Sequence, residues 1–317
     1  MIDPLLLFDV ILGLAIVSLA VTVLVVRDRF AMIVLVIVFG LMSALAWVRL
    51  AAPDVALAEA AIGTGLTGAL LLATWRQVRT EPERWPALPQ GVMVINMGLC
   101  ALVLAGLVGA FLATPLGTPG LGVAVADNLA DSGVEHPVTA VLLNFRAYDT
   151  LMEVVVLLVA VIAVWMIDRG VSQAPQPTLG PELGDLPRGF ARLVLPAITV
   201  IGAYLLWVGT SAPGGAFQGG AVLAAVGILL LLTQRYQPQP SHRPLARGVF
   251  VLGAAGFATV ALLVAGGGRV PFEYPADHAK TLILLIEGLV TLSIAATLAA
   301  LFHGREPEAI STQGGRS

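Results

Sequence analysis

The stretch NFRAYDTLME (residues 144–153) runs directly into the apolar segment Val154–Ile167 and decides how the chain is interpreted. Arg146, Asp149 and Glu153 stand within eight positions, at the start of a run long enough to enter a bilayer. Their spacings of three and four place all three on one face of a helix. Ionisable residues in membrane segments are costly, and by default they indicate an ion pathway.

Two further sets of ionisable residues lie in apolar runs. Asp54 and Glu59 open the run Val55–Thr74, and Lys280 and Glu287 stand seven positions apart, on one face of a helix. Lys280 and Glu287 are about 10 Å apart along a helix axis, too far for a salt bridge but within reach of a water-linked relay. The predicted ion-pathway residues are therefore Glu59, Asp149, Glu153, Glu287, Lys280, Asp54 and Arg146.

The composition is that of a polytopic membrane protein. Of the 317 residues, 58% are hydrophobic and 12% charged, whereas about 25% are charged in a soluble domain. With the single cysteine Cys100, the chain lacks the residues for an internal disulfide, a Cys-ligated iron–sulfur cluster or a cysteine zinc site. We expect no cofactor and no metal, and no basic tract predicts nucleic-acid binding.

Apolar runs of about 20 residues predict an all-α fold with nine transmembrane helices. These spans are Leu5–Val26, Phe30–Val48, Pro53–Thr74, Gly91–Ala113, Tyr148–Ile167, Phe190–Gly209, Ala216–Thr233, Leu245–Ala265 and Ala276–Phe302. The short amphipathic segment Pro137–Asn144 is either a half-helix before the fifth span or part of a loop.

The basic residues predict the orientation. An N-terminus outside the cell puts 13 of the 17 Lys and Arg residues on one side of the membrane. The positive-inside rule makes that side the cytoplasm, which then also holds the C-terminus.

Composition shifts predict the domain organisation. Residues 1–113 form a four-helix membrane region, 114–171 an outside loop plus one helix, and 189–303 a second four-helix membrane domain. Residues 172–188, rich in Pro, Gly and Gln, form a cytoplasmic linker, and 304–317 a C-terminal tail.

A purely structural explanation accounts for Asp54 well and for Glu59 poorly. Asp54 follows Pro53 in a first helical turn, where its charge complements the helix macrodipole. Glu59 lies deeper among apolar residues, so its carboxylate must be paired, hydrated or protonated. Gly63, Gly65 and Gly68 after it favour close helix packing or a local distortion.

The other two sets leave similar alternatives. Arg146 and Asp149 can neutralise each other, whereas Glu153 then needs a partner on another helix or a proton. Lys280 can instead extend outward to the interface, with Glu287 paired to another subunit. No close pair of histidines indicates a metal site.

A glycine-rich turn, SAPGGAFQGG (residues 211–220), joins two spans. No Lys-Ser/Thr follows it, so it is not a phosphate-binding loop. We predict a tight turn in which Gly215, Gly219 and Gly220 let the following helix pack closely against its neighbours.

Three motifs together resemble one family, the Mrp-type multisubunit cation/proton antiporters. APDVALAE (52–59) resembles the C-terminal region of their large A subunit, which occurs as the D-type subunit of membrane-bound hydrogenases. VLLNFRAYDTLME (141–153) resembles the adjoining E-type subunit, and PGGAFQGG (213–220) resembles the B (MnhB) subunit. The chain thus looks like a fusion of pieces that are usually separate.

The resemblance implies a non-enzymatic accessory subunit in the cell (inner or plasma) membrane, with other membrane subunits and Na⁺ or H⁺ as partners. Glu59, Asp149 and Glu153 are the acids that match the family motifs. Asn144 stands where many relatives carry an acid, which weakens the case for sodium. Two alternatives stay open: a small subunit of a redox-driven, hydrogenase-like pump, and a purely structural membrane scaffold.

Overall fold

A computed structural model describes residues 3–78, 89–115, 120–170, 185–233, 243–275 and 277–304. Regular structure in these residues is helical, as the sequence predicts. The α-helices are α1 (Pro4–Val25), α2 (Arg29–Arg49), α3 (Pro53–Ala58), α4 (Thr67–Val78), α5 (Gln90–Ala113), α6 (Gly122–Asn128), α7 (Pro137–Ala140), α8 (Ala147–Gly170), α9 (Asp185–Val208), α10 (Ala216–Leu232), α11 (Arg243–Gly266) and α12 (Ala279–His303).

Two π-helical segments interrupt this pattern. The first, π1 (Glu59–Leu66), joins α3 to α4 inside one continuous span, and the second, π2 (Val141–Phe145), follows α7. A short 3-10 turn, Leu129–Ser132, follows α6. The segment Pro137–Asn144 is therefore helical, and the backbone breaks only at Arg146 (φ −130°), before α8 begins.

Eight helices among the described residues are long and apolar enough to cross a membrane. They are α1, α2, the continuous α3–π1–α4 unit, α5, α8, α9, α11 and α12. The prediction of nine full-length spans is corrected in one place: Ala216–Thr233 forms α10, an apolar helix of 17 residues that begins after the glycine-rich turn. The helix composition is that of a multi-pass membrane protein.

The predicted cytoplasmic linker, residues 172–188, lies only partly within the described residues. Helix α9 begins at Asp185, so the last residues assigned to the linker are helical. The rest of the linker and the tail after residue 304 lie outside the described residues.

Helix α12 is the centre of the packed core, because α8, α9, α10 and α11 all contact it. Its buried apolar residues recur at helical spacing and form one stripe: Ile283, Ile286, Val290, Ile294 and Leu298. Two glycines on α10 allow this helix to pack closely against α12 and α9. A Cβ at Gly220 would lie 2.8 Å from Ile294 side-chain atoms, and one at Gly219 would lie 3.0 Å from the Gly202 carbonyl oxygen.

Helices α1 and α2 form a hairpin, and α2 packs on α3, π1 and α4. The Arg49 guanidinium binds both Asp9 carboxylate oxygens, at 2.7 and 3.0 Å, and so joins the end of α2 to the start of α1. Gly68 lies against the Ile37 side chain, where a Cβ would come within 2.8 Å. The expected close packing and local distortion around the glycines are thus both present, as contact with α2 and as π1.

Helix α5 differs from the others. None of its residues is buried, although the helix is 24 residues long and apolar throughout. Its apolar surface is therefore exposed along its whole length.

Substitution of Gly220 by Ala should lower the stability of the protein, because the added methyl group overlaps Ile294 and overpacking costs about 1–3 kcal/mol. Thermal unfolding in mild detergent measures the effect. Gly248→Ala is the matched control, since no atom lies within 4 Å of its Cβ position. Equal unfolding temperatures for the two variants would contradict the assigned α10–α12 packing.

Candidate functional site

Asp54 lies at the centre of a polar junction. It is in the first turn of α3, after Pro53, and is only 7% exposed. Its Oδ2 is 2.9 Å from His136 Nε2, and its Oδ1 accepts a hydrogen bond of 3.0 Å from the Gly214 backbone N–H. Both carboxylate oxygens therefore have partners, which satisfies a charge that would be costly to bury alone.

The segment before α7 is held against the turn that joins α9 and α10. The Thr210 carbonyl oxygen accepts hydrogen bonds from the backbone N–H groups of Glu135 (2.9 Å) and His136 (3.0 Å). The Thr139 hydroxyl donates to the Gly209 carbonyl oxygen. These bonds fix the His136 ring beside Asp54.

The sequence did not single out His136 as a site residue. Its partner lies 82 positions away, so no local pattern connects them. The only available signal was its place directly before Pro137, which begins α7.

Gly214 and Gly215 give the turn its shape. Gly215 has φ 110°, a conformation that favours glycine. A Cβ at Gly214 would lie 2.5 Å from the Leu205 carbonyl oxygen. The turn can therefore lie between two acids, with Gly214 bound to Asp54 and Gly215 facing Glu287.

Glu287 lies on the other side of this turn and is 2% exposed. Its Oε1 is 3.1 Å from the position that a Gly215 Cβ would occupy. Its Oε2 is buried and has no hydrogen-bond partner among the described residues. A buried polar atom without a partner is uncommon in native structures and calls for an explanation, such as a bound proton, ion or water.

Gln218 is bound to α3 and lies near the Gly215 turn. Its Nε2 donates to the Asp54 backbone carbonyl oxygen at 3.1 Å. Its Oε1 is 3.7 Å from the same Gly215 Cβ position that Glu287 approaches. Gln218 belongs to the glycine-rich motif of the sequence. Its hydrogen bond to Asp54 forms only because α3 packs beside α10.

The structure gives Lys280 and Glu287 different environments. Lys280 is exposed in the first turn of α12, whereas Glu287 is buried two turns further along. The water-linked relay between them stays a prediction.

Glu59 is the first residue of π1 and is partly buried. Its carboxylate lies over Gly63 of the same segment, in the space that a side chain there would need. Single π-helical turns inside α-helices are frequent at functional sites. The structure does not place Glu59 in the hydrogen-bond network of Asp54.

Arg146, Asp149 and Glu153 form a separate group at the start of α8. Arg146 Nη2 is 2.6 Å from Asp149 Oδ2, and the two side chains are 66% and 45% exposed. Glu153, one turn further on, is exposed on the same helix. Asn144, the position that lacks an acid, donates to the Ser132 carbonyl oxygen at 2.9 Å and so holds π2 to the preceding loop.

Comparison with known families matches two parts of the chain. Residues 14–80 match the MbhD family, the D-type subunit of MBH. Residues 186–305 match the domain related to the MnhB subunit of Na⁺/H⁺ antiporter. The D-type and B-type parts of the predicted resemblance are confirmed, whereas the E-type assignment and the domain boundaries stay predictions.

A curated relative is the uncharacterized protein MJ1307 of Methanocaldococcus jannaschii. It is 30% identical over 188 residues, which cover 51% of this chain and 68% of the relative.

Two solved structures share the fold. A chain of the Mrp complex from Dietzia sp. DQ12-45-1b has a TM-score of 0.72 and 23% identity, over 95% of this chain but only 35% of that chain. This protein thus spans about a third of its length. A chain of the membrane-bound sulfane sulfur reductase (MBS), an archaeal respiratory membrane complex, has a TM-score of 0.53 and 22% identity, over 67% of this chain and 97% of that chain.

Replacement of Asp54 by Ala should destabilise the protein, because it leaves the Gly214 N–H and the partly buried His136 ring without their acceptor. Each unsatisfied buried group costs about 1–3 kcal/mol. Thermal unfolding in detergent measures the loss. Arg269→Ala is the control, since it removes an exposed pair with Glu273, 3.7 Å apart, and should change little. Similar unfolding temperatures for both variants would mean that the junction at Asp54 does not stabilise the protein.

Proposed function

The chain belongs to the family of membrane subunits that carry MbhD and MnhB domains, and from this premise we propose that it is an accessory subunit of a multisubunit Mrp-type cation/proton antiporter. In this proposal it contributes carboxylates within the membrane to the ion pathway and docks partner subunits in the cell membrane. The N-terminus lies outside and the C-terminus in the cytoplasm.

The observation that carries the proposal is the buried carboxylate of Glu287, whose Oε2 has no hydrogen-bond partner among the described residues. A residue kept only for stability is expected to have its polar atoms satisfied, whereas an ion-transfer group must be able to gain and lose a ligand. Glu59 at the start of π1 and Glu153 on α8 would be further stations on the route. Asp149, Asp54, Arg146 and Lys280 would modulate the charge along it.

Docking is supported by the surface of the helices. No residue of α5 is buried, and large apolar side chains on α1 and α5 are exposed. Antiporter-like membrane subunits are the partners we propose for part of this surface, with lipid covering the rest.

A second candidate is the equivalent small subunit of a redox-driven ion pump. It is favoured by the fold likeness to the sulfane sulfur reductase chain, 97% of which is covered. The redox chemistry would then belong to other subunits.

Purification of the tagged chain in mild detergent, followed by mass spectrometry, separates these candidates. We expect antiporter-like membrane subunits to co-purify without redox proteins. Co-purifying iron–sulfur subunits would favour the redox-driven pump, and a chain that purifies alone would overturn the accessory-subunit proposal.

The glutamate-to-glutamine variants E59Q, E153Q and E287Q should each reduce cation/proton antiport in vesicles at least tenfold while the complex still assembles, because glutamine cannot carry a proton or a negative charge. Native gel electrophoresis checks assembly. Asp127→Asn, an exposed acid on α6, is the matched control and should transport normally. Full antiport in all three variants would leave a structural scaffold as the function.

A further inference from the structure

We propose that Glu287 and Gln218 form a proton-binding site at the start of α10, in which protonated Glu287 donates a hydrogen bond to Gln218 Oε1. This deepens the proposed function, on which its role in transport rests. It assigns a part to Gln218 that neither the sequence motifs nor the comparisons give.

The amide orientation of Gln218 is fixed from the Asp54 side. A backbone carbonyl oxygen only accepts hydrogen bonds, so the Gln218 atom that contacts the Asp54 carbonyl oxygen at 3.1 Å must be Nε2. Asp54 is itself held by His136 and Gly214. Gln218 Oε1 is therefore the amide atom that lies near the Gly215 turn.

Two acceptor oxygens then face one small space. Glu287 Oε1 and Gln218 Oε1 lie 3.1 and 3.7 Å from the point where Gly215 would carry a Cβ. An ionised carboxylate has only acceptors and would repel the amide oxygen, whereas a protonated one supplies the missing O–H donor. Gly215 keeps the space open because it has no side chain.

The charges around Glu287 also favour the neutral form. Helix α10 contains no ionisable residue, and the cations of α9 and α11 (Arg188, Arg192, Arg243 and Arg247) stand within the first eight residues of those helices. On α12 itself Lys280 is exposed, and Asp149 and Glu153 on α8 would add negative charge. The start of α10 favours an anion through the helix dipole, whereas burial disfavours an ionised carboxylate.

The proton balance is simple. One O–H bond forms on the Glu287 carboxylate when it takes up a proton from water, and the same bond breaks when the proton leaves toward the next acid on the route. Gln218 forms no covalent bond and acts as a positioning residue. Its acceptor oxygen holds the protonated side chain at the Gly215 turn.

Infrared difference spectroscopy of the purified complex, stepped between acidic and alkaline pH, tests the site. We expect a carboxylic-acid C=O band that E287Q removes. Gln218→Leu should keep this band but shift it to higher wavenumber, because the acid loses its hydrogen-bond acceptor. Thr291→Val is the matched control: it removes a buried hydroxyl that donates only to the Glu287 backbone carbonyl oxygen, so the band should not move.

Each outcome decides the proposal. The proposal is overturned if E287Q leaves the band in place or if Gln218→Leu does not shift it. It is also overturned if Glu287 stays ionised across the pH range with Na⁺ bound beside it. The Gln218→Leu measurement stands even where E287Q fails to assemble. Antiport measurements separate the proton site from its role in transport. If the unsubstituted protein shows the Glu287 band but E287Q transports at the normal rate, Glu287 binds a proton but is not part of the ion pathway.

Discussion

The carboxylate of Asp54 is the contact on which the polar part of this membrane protein depends. It binds His136 from the loop before α7 and the Gly214 N–H from the turn before α10, and the backbone carbonyl oxygen of the same residue binds Gln218. Three segments that are far apart in sequence thus meet at one buried charge. In an apolar environment such a charge tolerates few geometries, because every oxygen must keep its partner.

Glu287 lies on the other side of the turn that this contact holds. The turn at Gly214 and Gly215 is held on one side by Asp54, and its other side faces the α12 carboxylate. The apolar stripe of α12 packs against the neighbouring helices, so Glu287 places a carboxylate inside a close-packed core. Glu59 and Glu153 differ from it, since one lies in a π-helical segment and the other is exposed on α8.

Much of the local structure could be predicted because it depends on neighbouring residues. The glycines after Glu59 predicted a distortion, which the structure has as π1, and the spacing of Arg146 and Asp149 predicted their ion pair. The junction could not be predicted in the same way. His136 lies 82 positions from Asp54, and Gly214 lies 160 positions from it, so no spacing rule brings them together.

The sequence by itself determined the membrane class, the apolar spans, the family motifs and which acids stand inside spans. These depend on length and hydropathy, because a bilayer accepts only long apolar helices whose backbone bonds are made internally. Only the tertiary structure decided that Asp54 is satisfied, that Glu287 is buried with an oxygen lacking a partner among the described residues, and that Gln218 binds the Asp54 backbone. The physical reason is that hydrogen bonds of buried side chains depend on which helices pack together, and apolar helix surfaces alone leave that choice open.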